Sequence, residues 1–109
     1  MSTEDPAQSA AHAGGTTSDI PVEPQSLEWM RRLVAIPSIS GTSNLGVIEL
    51  IEAEFARYGY TGQRTYNADQ TRANLWVTVP AADGSTEGGI VISGHPDVVP
   101  VEGQTWDSD

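Results

Sequence analysis

Apolar side chains recur at helical intervals in the segment that begins at Pro24. The apolar positions of this segment are Leu27, Met30, Leu33 and Val34. Because an α-helix turns once in about 3.6 residues, positions three and four apart lie on one face. Pro24 and Ser26 are residue types favoured at a helix start, and Pro37 cannot continue a helix. The pattern therefore predicts a first helix that starts near Pro24 and stops before Pro37.

A second helical stripe follows a turn-rich connection of serine, glycine, threonine and asparagine. Its positions are Leu45, Ile48, Ile51 or Glu52, Phe55 and Tyr58. Thr42 or Ser43 is placed to cap the start of this helix, since a hydroxyl there accepts a bond from a free backbone N–H. Gly59 suits the left-handed backbone that commonly ends a helix. The pattern predicts a second helix that starts after this connection and stops at Gly59.

The pattern then changes to that of strands. The segments "YTGQRTY" (60–66) and "ANLWVTV" (73–79) alternate and are rich in aromatic and β-branched residues, and a turn cluster occupies residues 80–89. The segment "GIVIS" (89–93) is apolar without alternation, as in a strand covered on both faces. The predicted order is helix, helix, strand, strand, strand. It indicates an α/β fold in which helices flank a mixed sheet.

Composition and charge divide the chain and exclude some partners. Residues 1–22 are small, polar and acidic, which predicts a disordered acidic tail, and residues 23–109 are the predicted domain. Fifteen acidic residues against five arginines give a net charge of −10, so neither nucleic acid nor an anionic membrane surface is an expected partner. The chain has no cysteine, which excludes thiolate metal sites and cysteine nucleophiles. No signal peptide is recognisable, and a cytoplasmic location is expected.

His95 and Asp97 are the candidate chemical residues. They follow the last predicted strand, and ligands of open α/β sheets bind beyond the carboxyl ends of strands. Residues two apart in extended backbone point to the same side, and Pro96 disfavours helical geometry for His95. Asp97 can then hold one ring nitrogen while the other binds a metal. Taken alone, so short a motif is more often a histidine hydrogen-bonded in a turn, with Asp97 capping that turn.

The surrounding sequence makes the metal-binding interpretation the stronger one. The run "SGHPDVVPVEGQTW" (93–106) closely resembles the first metal-binding segment of the M20 metallopeptidase and amidohydrolase family. The stretches "LVAIPSIS" (33–40), "TSNLGVIELIEAEF" (42–55) and "ANLWVTV" (73–79) also resemble that family, so the likeness covers about residues 26–109. The family more often has Thr, Met or Leu where this chain has Pro96, which lacks a backbone N–H.

The resemblance implies both a site and a reaction. His95 would bind one of two divalent metal ions, usually zinc with cobalt as an alternative, and Asp97 would be the catalytic carboxylate of the active site beside it. The implied reaction is hydrolysis of an N-acyl amino acid, with N-acetyl-ornithine, cleaved to ornithine and acetate in arginine biosynthesis, as the expected substrate. The implied partner is the small-molecule substrate. The sequence leaves open whether the longer enzyme forms a homodimer.

In the family, the remaining ligands and the general base lie farther along the chain than Asp109. We therefore expect these 109 residues to be the front part of a longer enzyme and to be inactive alone. Glu102, Asp107 and Asp109 are expected to belong to a solvated loop.

Two alternatives stay open from the sequence. The first is another M20 hydrolase, such as a succinyl-diaminopimelate desuccinylase, an aminoacylase or a carboxypeptidase. The second belongs to a different class, since the tripeptide "HPD" (95–97) is also the hallmark of J-domain co-chaperones, where it lies between two helices. The uncharged, strand-like segment "GGIVISG" (88–94) before the tripeptide is unlike the basic helix of a J-domain.

Overall fold

Two helices precede a two-stranded hairpin in the computed structural model, which describes residues 23–107. The elements are α1 (Pro24–Val34), α2 (Leu45–Arg57), β1 (Gly62–Tyr66) and β2 (Ala73–Val77). This order confirms the first four predicted elements. The acidic tail predicted for residues 1–22 lies outside the described residues.

Helix α1 begins at the proline that marked its start in the sequence. Pro24 occupies the first turn, and the Glu23 carboxylate accepts a hydrogen bond of 3.1 Å from the Ser26 N–H, so an acidic side chain caps the helix. At the other end, Arg32 lies 4.4 Å over the centre of the Trp29 ring. No residue of α1 is buried, which means that this helix contributes little to the core of residues 23–107.

Helix α2 carries two of the three buried apolar side chains of residues 23–107. Val47 and Ile48 on this helix are buried. Gly59 follows the helix with φ of +84°, which confirms its predicted role, because a side chain at that φ would strain the backbone. The predicted cap was only partly right. The Ser43 hydroxyl accepts a bond of 3.3 Å from the Leu45 N–H, but the N-cap residue is Asn44, whose side chain makes no capping bond.

The two strands pair antiparallel. The register runs from Gly62 opposite Val77 to Tyr66 opposite Ala73. Side chains of β2 alternate between buried or half-buried and exposed, beginning with the buried Ala73. One face of the hairpin therefore packs against α2, and the other is left open to solvent.

The third predicted strand does not form, and the prediction of a mixed sheet was wrong for the described residues. Residues 89–93 make no strand pairing within residues 23–107, and the sheet there is the antiparallel hairpin alone. Ile90 and Ile92 are 91% and 93% exposed. A strand is stable only when its backbone groups pair with a neighbour, and neither described strand pairs with this segment. Among residues 23–107, parallel pairing occurs only as an isolated bridge between Ile39 and Val98.

Neither described helix reaches the length and apolar character that crossing a bilayer requires.

Candidate functional site

The segment that contains the histidine lies beside the connection between α1 and α2. The Val98 N–H donates to the Ser38 carbonyl at 2.9 Å, and the Ser40 N–H donates to the Val98 carbonyl at 2.8 Å. The hydroxyl of the buried Ser38 donates to the Pro96 carbonyl at 2.6 Å. These bonds join residues almost sixty positions apart and hold the motif in place without a regular sheet.

His95 and Asp97 meet on one side of the backbone, as their spacing predicts. The Nδ1 atom of His95 lies 3.0 Å from Oδ1 of Asp97 and 3.1 Å from the Asp97 carbonyl oxygen. Both neighbours are acceptors, so Nδ1 carries the proton and donates, and in the neutral ring Nε2 keeps its lone pair. The His95 side chain is 85% exposed. The arrangement therefore presents one free nitrogen, the atom that a metal ligand needs, toward solvent.

Ser40 holds the other side of the Asp97 carboxylate. Its hydroxyl donates to Oδ2 of Asp97 at 2.7 Å, so each carboxylate oxygen accepts one hydrogen bond. The bond from Ser40, and after it the bond from His95, lowers the pKa of Asp97, because both bonds favour the ionised form. An ionised Asp97 is the form that can fix the tautomer of His95.

A cavity of about 410 Å³ opens next to these three residues. One wall is the α1–α2 connection, the second is residues 94–97, and the third is the turn end of the hairpin at residues 65–67 and 72–74. Most of the side chains that line it are hydroxyls, amides and charged groups. Its volume falls within the range of small-molecule sites, roughly 300 to 1,000 Å³.

Asn44 positions the hairpin against this cavity. Its amide nitrogen donates to the Ala73 carbonyl at 2.9 Å, and its amide oxygen accepts from the Ala73 N–H, also at 2.9 Å. One side chain thus satisfies both backbone groups of a buried residue and fixes the start of α2 to the start of β2.

Sequence reasoning placed His95 and Asp97 but missed Ser40 and Asn44. The run "PSISGTSN" (37–44) predicts a connection with a capping hydroxyl, and its richness in polar side chains is the one signal that indicates a further role. Within residues 23–107, no three His, Cys, Asp or Glu side chains group together in a way that could hold a metal ion. Glu102 and Asp107 are exposed, consistent with the predicted loop, and Asp109 lies outside the described residues.

Comparison with curated proteins finds acetylornithine deacetylases. The chain is 32% identical over 93 residues to that of Erwinia tasmaniensis, a match that covers 79% of this chain and 23% of the relative. It is 30% identical over 95 residues to those of Salmonella arizonae and Salmonella paratyphi B, matches that cover 81% of this chain and 24% of each relative.

The chain therefore spans about a quarter of the length of the curated relatives it matches. No protein-family model matches the chain, and no solved structure matches it. The sequence similarity to these relatives supports at most that the chain is an M20-like fragment. The mixed helix and strand content described above is consistent with a fragment of an α/β fold.

Proposed function

We propose that the protein to which this chain belongs is a metal-dependent amidohydrolase that removes the acyl group from an N-acyl amino acid. N-acetyl-ornithine is the favoured substrate, because the curated relatives are named acetylornithine deacetylase. The observation that carries the proposal is the geometry of His95, whose Nδ1 bonds to Asp97 while Nε2 faces the solvent. The run at residues 93–106 that resembles the M20 metal-binding segment supports it.

The donor set fits part of a metal site. A neutral histidine whose far nitrogen is held by a carboxylate is a common zinc ligand, and a catalytic zinc site takes about three protein ligands. His95 would supply one of them. When bound, a metal pair would activate water and polarise the amide carbonyl. Asp97 would keep His95 in the correct tautomer, and Ser40 would keep the carboxylate of Asp97 aligned.

The first prediction separates the roles of the two motif residues in the complete protein. His95→Ala removes a ligand, so we expect it to lose most of the metal at one site and nearly all turnover of N-acetyl-ornithine. Asp97→Ala should keep more metal but lose activity, because loss of such a carboxylate partner typically costs about 10–100-fold. Metal content by mass spectrometry and ornithine release are the measurements. Undiminished turnover in His95→Ala would contradict the proposal.

A substrate panel tests the related hydrolases. N-acetyl-ornithine, N-succinyl-diaminopimelate, N-acetyl-methionine and a dipeptide should be compared by kcat/KM on the same preparation. The proposal expects N-acetyl-ornithine to be preferred. Preference for one of the other three compounds would support the proposed amidohydrolase class but show that N-acetyl-ornithine is not the substrate.

The co-chaperone alternative finds no support in the fold. It needs helices on both sides of residues 95–97, and the described residues from 78 to 107 contain no helix. We therefore do not propose it.

A further inference from the structure

Arg72, at the turn end of the hairpin, brings a positive charge to the cavity that His95 lines. Arg72 and Asn74 are two residues apart, so their side chains extend from the same face of the hairpin. Both line the cavity together with His95 and Asp97. Leu75 and Val77, farther along β2, do not line this cavity and lie along the groove beside α2. The position of Arg72 is defined because its N–H and carbonyl both bond to Asn67, at 2.9 Å and 3.0 Å.

Three of the other four arginines already have partners, and the fourth, Arg31 on α1, does not line the cavity. Arg57 pairs with Glu54, Arg64 pairs with Glu52, and Arg32 lies over Trp29. In contrast, no carboxylate of residues 23–107 comes within salt-bridge distance of the Arg72 guanidinium.

The acidic residue of the same turn is engaged elsewhere. Oδ1 of Asp69 accepts bonds from the N–H and the hydroxyl of Thr71, at 3.1 Å and 2.6 Å. These two bonds, rather than the more distant charge of Arg72, are the main reason why the pKa of Asp69 is lowered. Arg72 is therefore available to a ligand.

The chemistry of this face suits a carboxylate. A guanidinium donates two parallel N–H bonds that match the two oxygens of a carboxylate, and a neighbouring amide can add a third donor. A chain with a net charge of −10 repels anions in general, so binding one needs a local cation. An N-acyl amino acid carries such a carboxylate on the carbon that bears the acylated nitrogen.

We propose that Arg72, with the Asn74 amide beside it, binds the α-carboxylate of the substrate while the scissile amide faces His95 across the cavity. This assignment rests on the proposed function, because it takes the substrate to be an N-acyl amino acid. Arg72 is then a specificity-determining residue that excludes acyl amines without a carboxylate.

A kinetic comparison with a matched pair of substrates tests the assignment in the complete protein. The pair is N-acetyl-ornithine and its carboxamide, which differ in charge but hardly in size. We expect Arg72→Ala to raise KM for N-acetyl-ornithine by about 10- to 100-fold, the range for a charge-assisted hydrogen bond, and to leave the carboxamide unaffected. Arg72→Lys should show a smaller rise, and Arg31→Ala on α1 is the control. Equal effects of Arg72→Ala on both substrates, or no effect, would overturn the assignment.

A binding measurement tests whether Arg72 binds a carboxylate independently of whether the protein hydrolyses N-acyl amino acids. N-acetylglycine and N-acetylglycinamide are titrated into the metal-free protein, and the Arg72 Nε–H and Asn74 side-chain amide resonances are followed by NMR. The carboxylate site is supported if N-acetylglycine shifts these resonances, N-acetylglycinamide does not, and the Asn74 shift disappears in Arg72→Gln. This result would support the site even if no hydrolysis is found. Shifts with both compounds or with neither would reject it even in an active enzyme.

Discussion

At the scale of single residues, Ser40 decides how firmly the candidate metal ligand is oriented. The chain of contacts runs from the Ser40 hydroxyl through the two oxygens of Asp97 to Nδ1 of His95. The pair is exposed, so neither Asp97 nor the imidazole is held by packing alone. A carboxylate bonded at one oxygen only can rotate, and rotation would release the ring.

Ser40→Ala should therefore weaken zinc binding by the complete protein by about tenfold, at the lower end of the effect of removing an outer partner of a metal ligand. Competition with a fluorescent chelator measures the affinity, and the ¹⁵N shifts of the His95 ring in the metal-free protein report its tautomer. Ser40→Thr keeps the hydroxyl and should restore both readouts.

Thr42→Ala is the control for Ser40→Ala. It removes a neighbouring hydroxyl that donates to the Ile39 carbonyl and does not touch Asp97. Equal losses in the two alanine variants would mean that the loop, and not the Ser40 hydroxyl, is responsible.

At the scale of elements, an ion pair ties α2 to β1. The Nε atom of Arg64 lies 3.2 Å and 3.1 Å from the two carboxylate oxygens of Glu52, and a second guanidinium nitrogen also contacts Glu52. The side chains are 21% and 30% exposed. The hydrogen bonds from Arg64 lower the pKa of Glu52, so the pair stabilises the fold only while that carboxylate is ionised.

The pH dependence follows from the direction of that shift. Because the folded pKa of Glu52 lies below its unfolded value, the stabilisation is complete above the unfolded pKa and is lost as the pH falls through the folded pKa. We expect Glu52→Gln to lower the free energy of unfolding at pH 7 and to converge with the parent protein at the acid end of the titration. Urea unfolding at intervals from pH 7 down to pH 3 measures this.

Glu54→Gln is the control for Glu52→Gln. Glu54 pairs with Arg57, whose side chain is 69% exposed, and such surface pairs contribute little. A pH dependence as large for Glu54→Gln as for Glu52→Gln would contradict the assignment to the α2–β1 pair.

At the scale of the whole molecule, the described residues bury few apolar side chains, and the apolar segment at 89–93 is among those left exposed. The buried apolar side chains of residues 23–107 are Val47, Ile48 and Ala73, whereas Ile90 and Ile92 are almost fully exposed. Contiguous apolar surface associates in water, especially where backbone groups lack strand partners.

We therefore expect the 109-residue chain alone to self-associate as its concentration rises, and Ile90→Ser with Ile92→Ser to reduce that association. Sedimentation velocity over a range of concentrations measures it. Val79→Ser is a suitable control, because Val79 is 55% exposed but does not line the groove that Ile92 lines. An unchanged association constant in the double variant would show that residues 89–93 are not the contact surface.

The helices, the hairpin and the two motif residues follow from local information. Apolar spacing predicts α1 and α2, Gly59 marks a helix end by its need for a positive φ, and alternation predicts β1 and β2. His95 and Asp97 are predicted because two-residue spacing puts them on one side of an extended backbone. Each of these properties depends on neighbours within about four residues, which a sequence displays directly.

The rest depends on residues far apart in the chain, and only the tertiary structure decided it. Ser40 reaches Asp97 across 57 positions, and Asn44 reaches Ala73 across 29. The segment at 89–93 has the composition of a strand but forms none in residues 23–107, because a strand also needs a partner whose backbone groups face it. Arg72 looks like any turn arginine until the fold sets it in the same cavity as His95. Helix and strand propensity are local properties of the sequence. Which strands pair, and which side chains come together in one site, are determined by the path of the whole backbone.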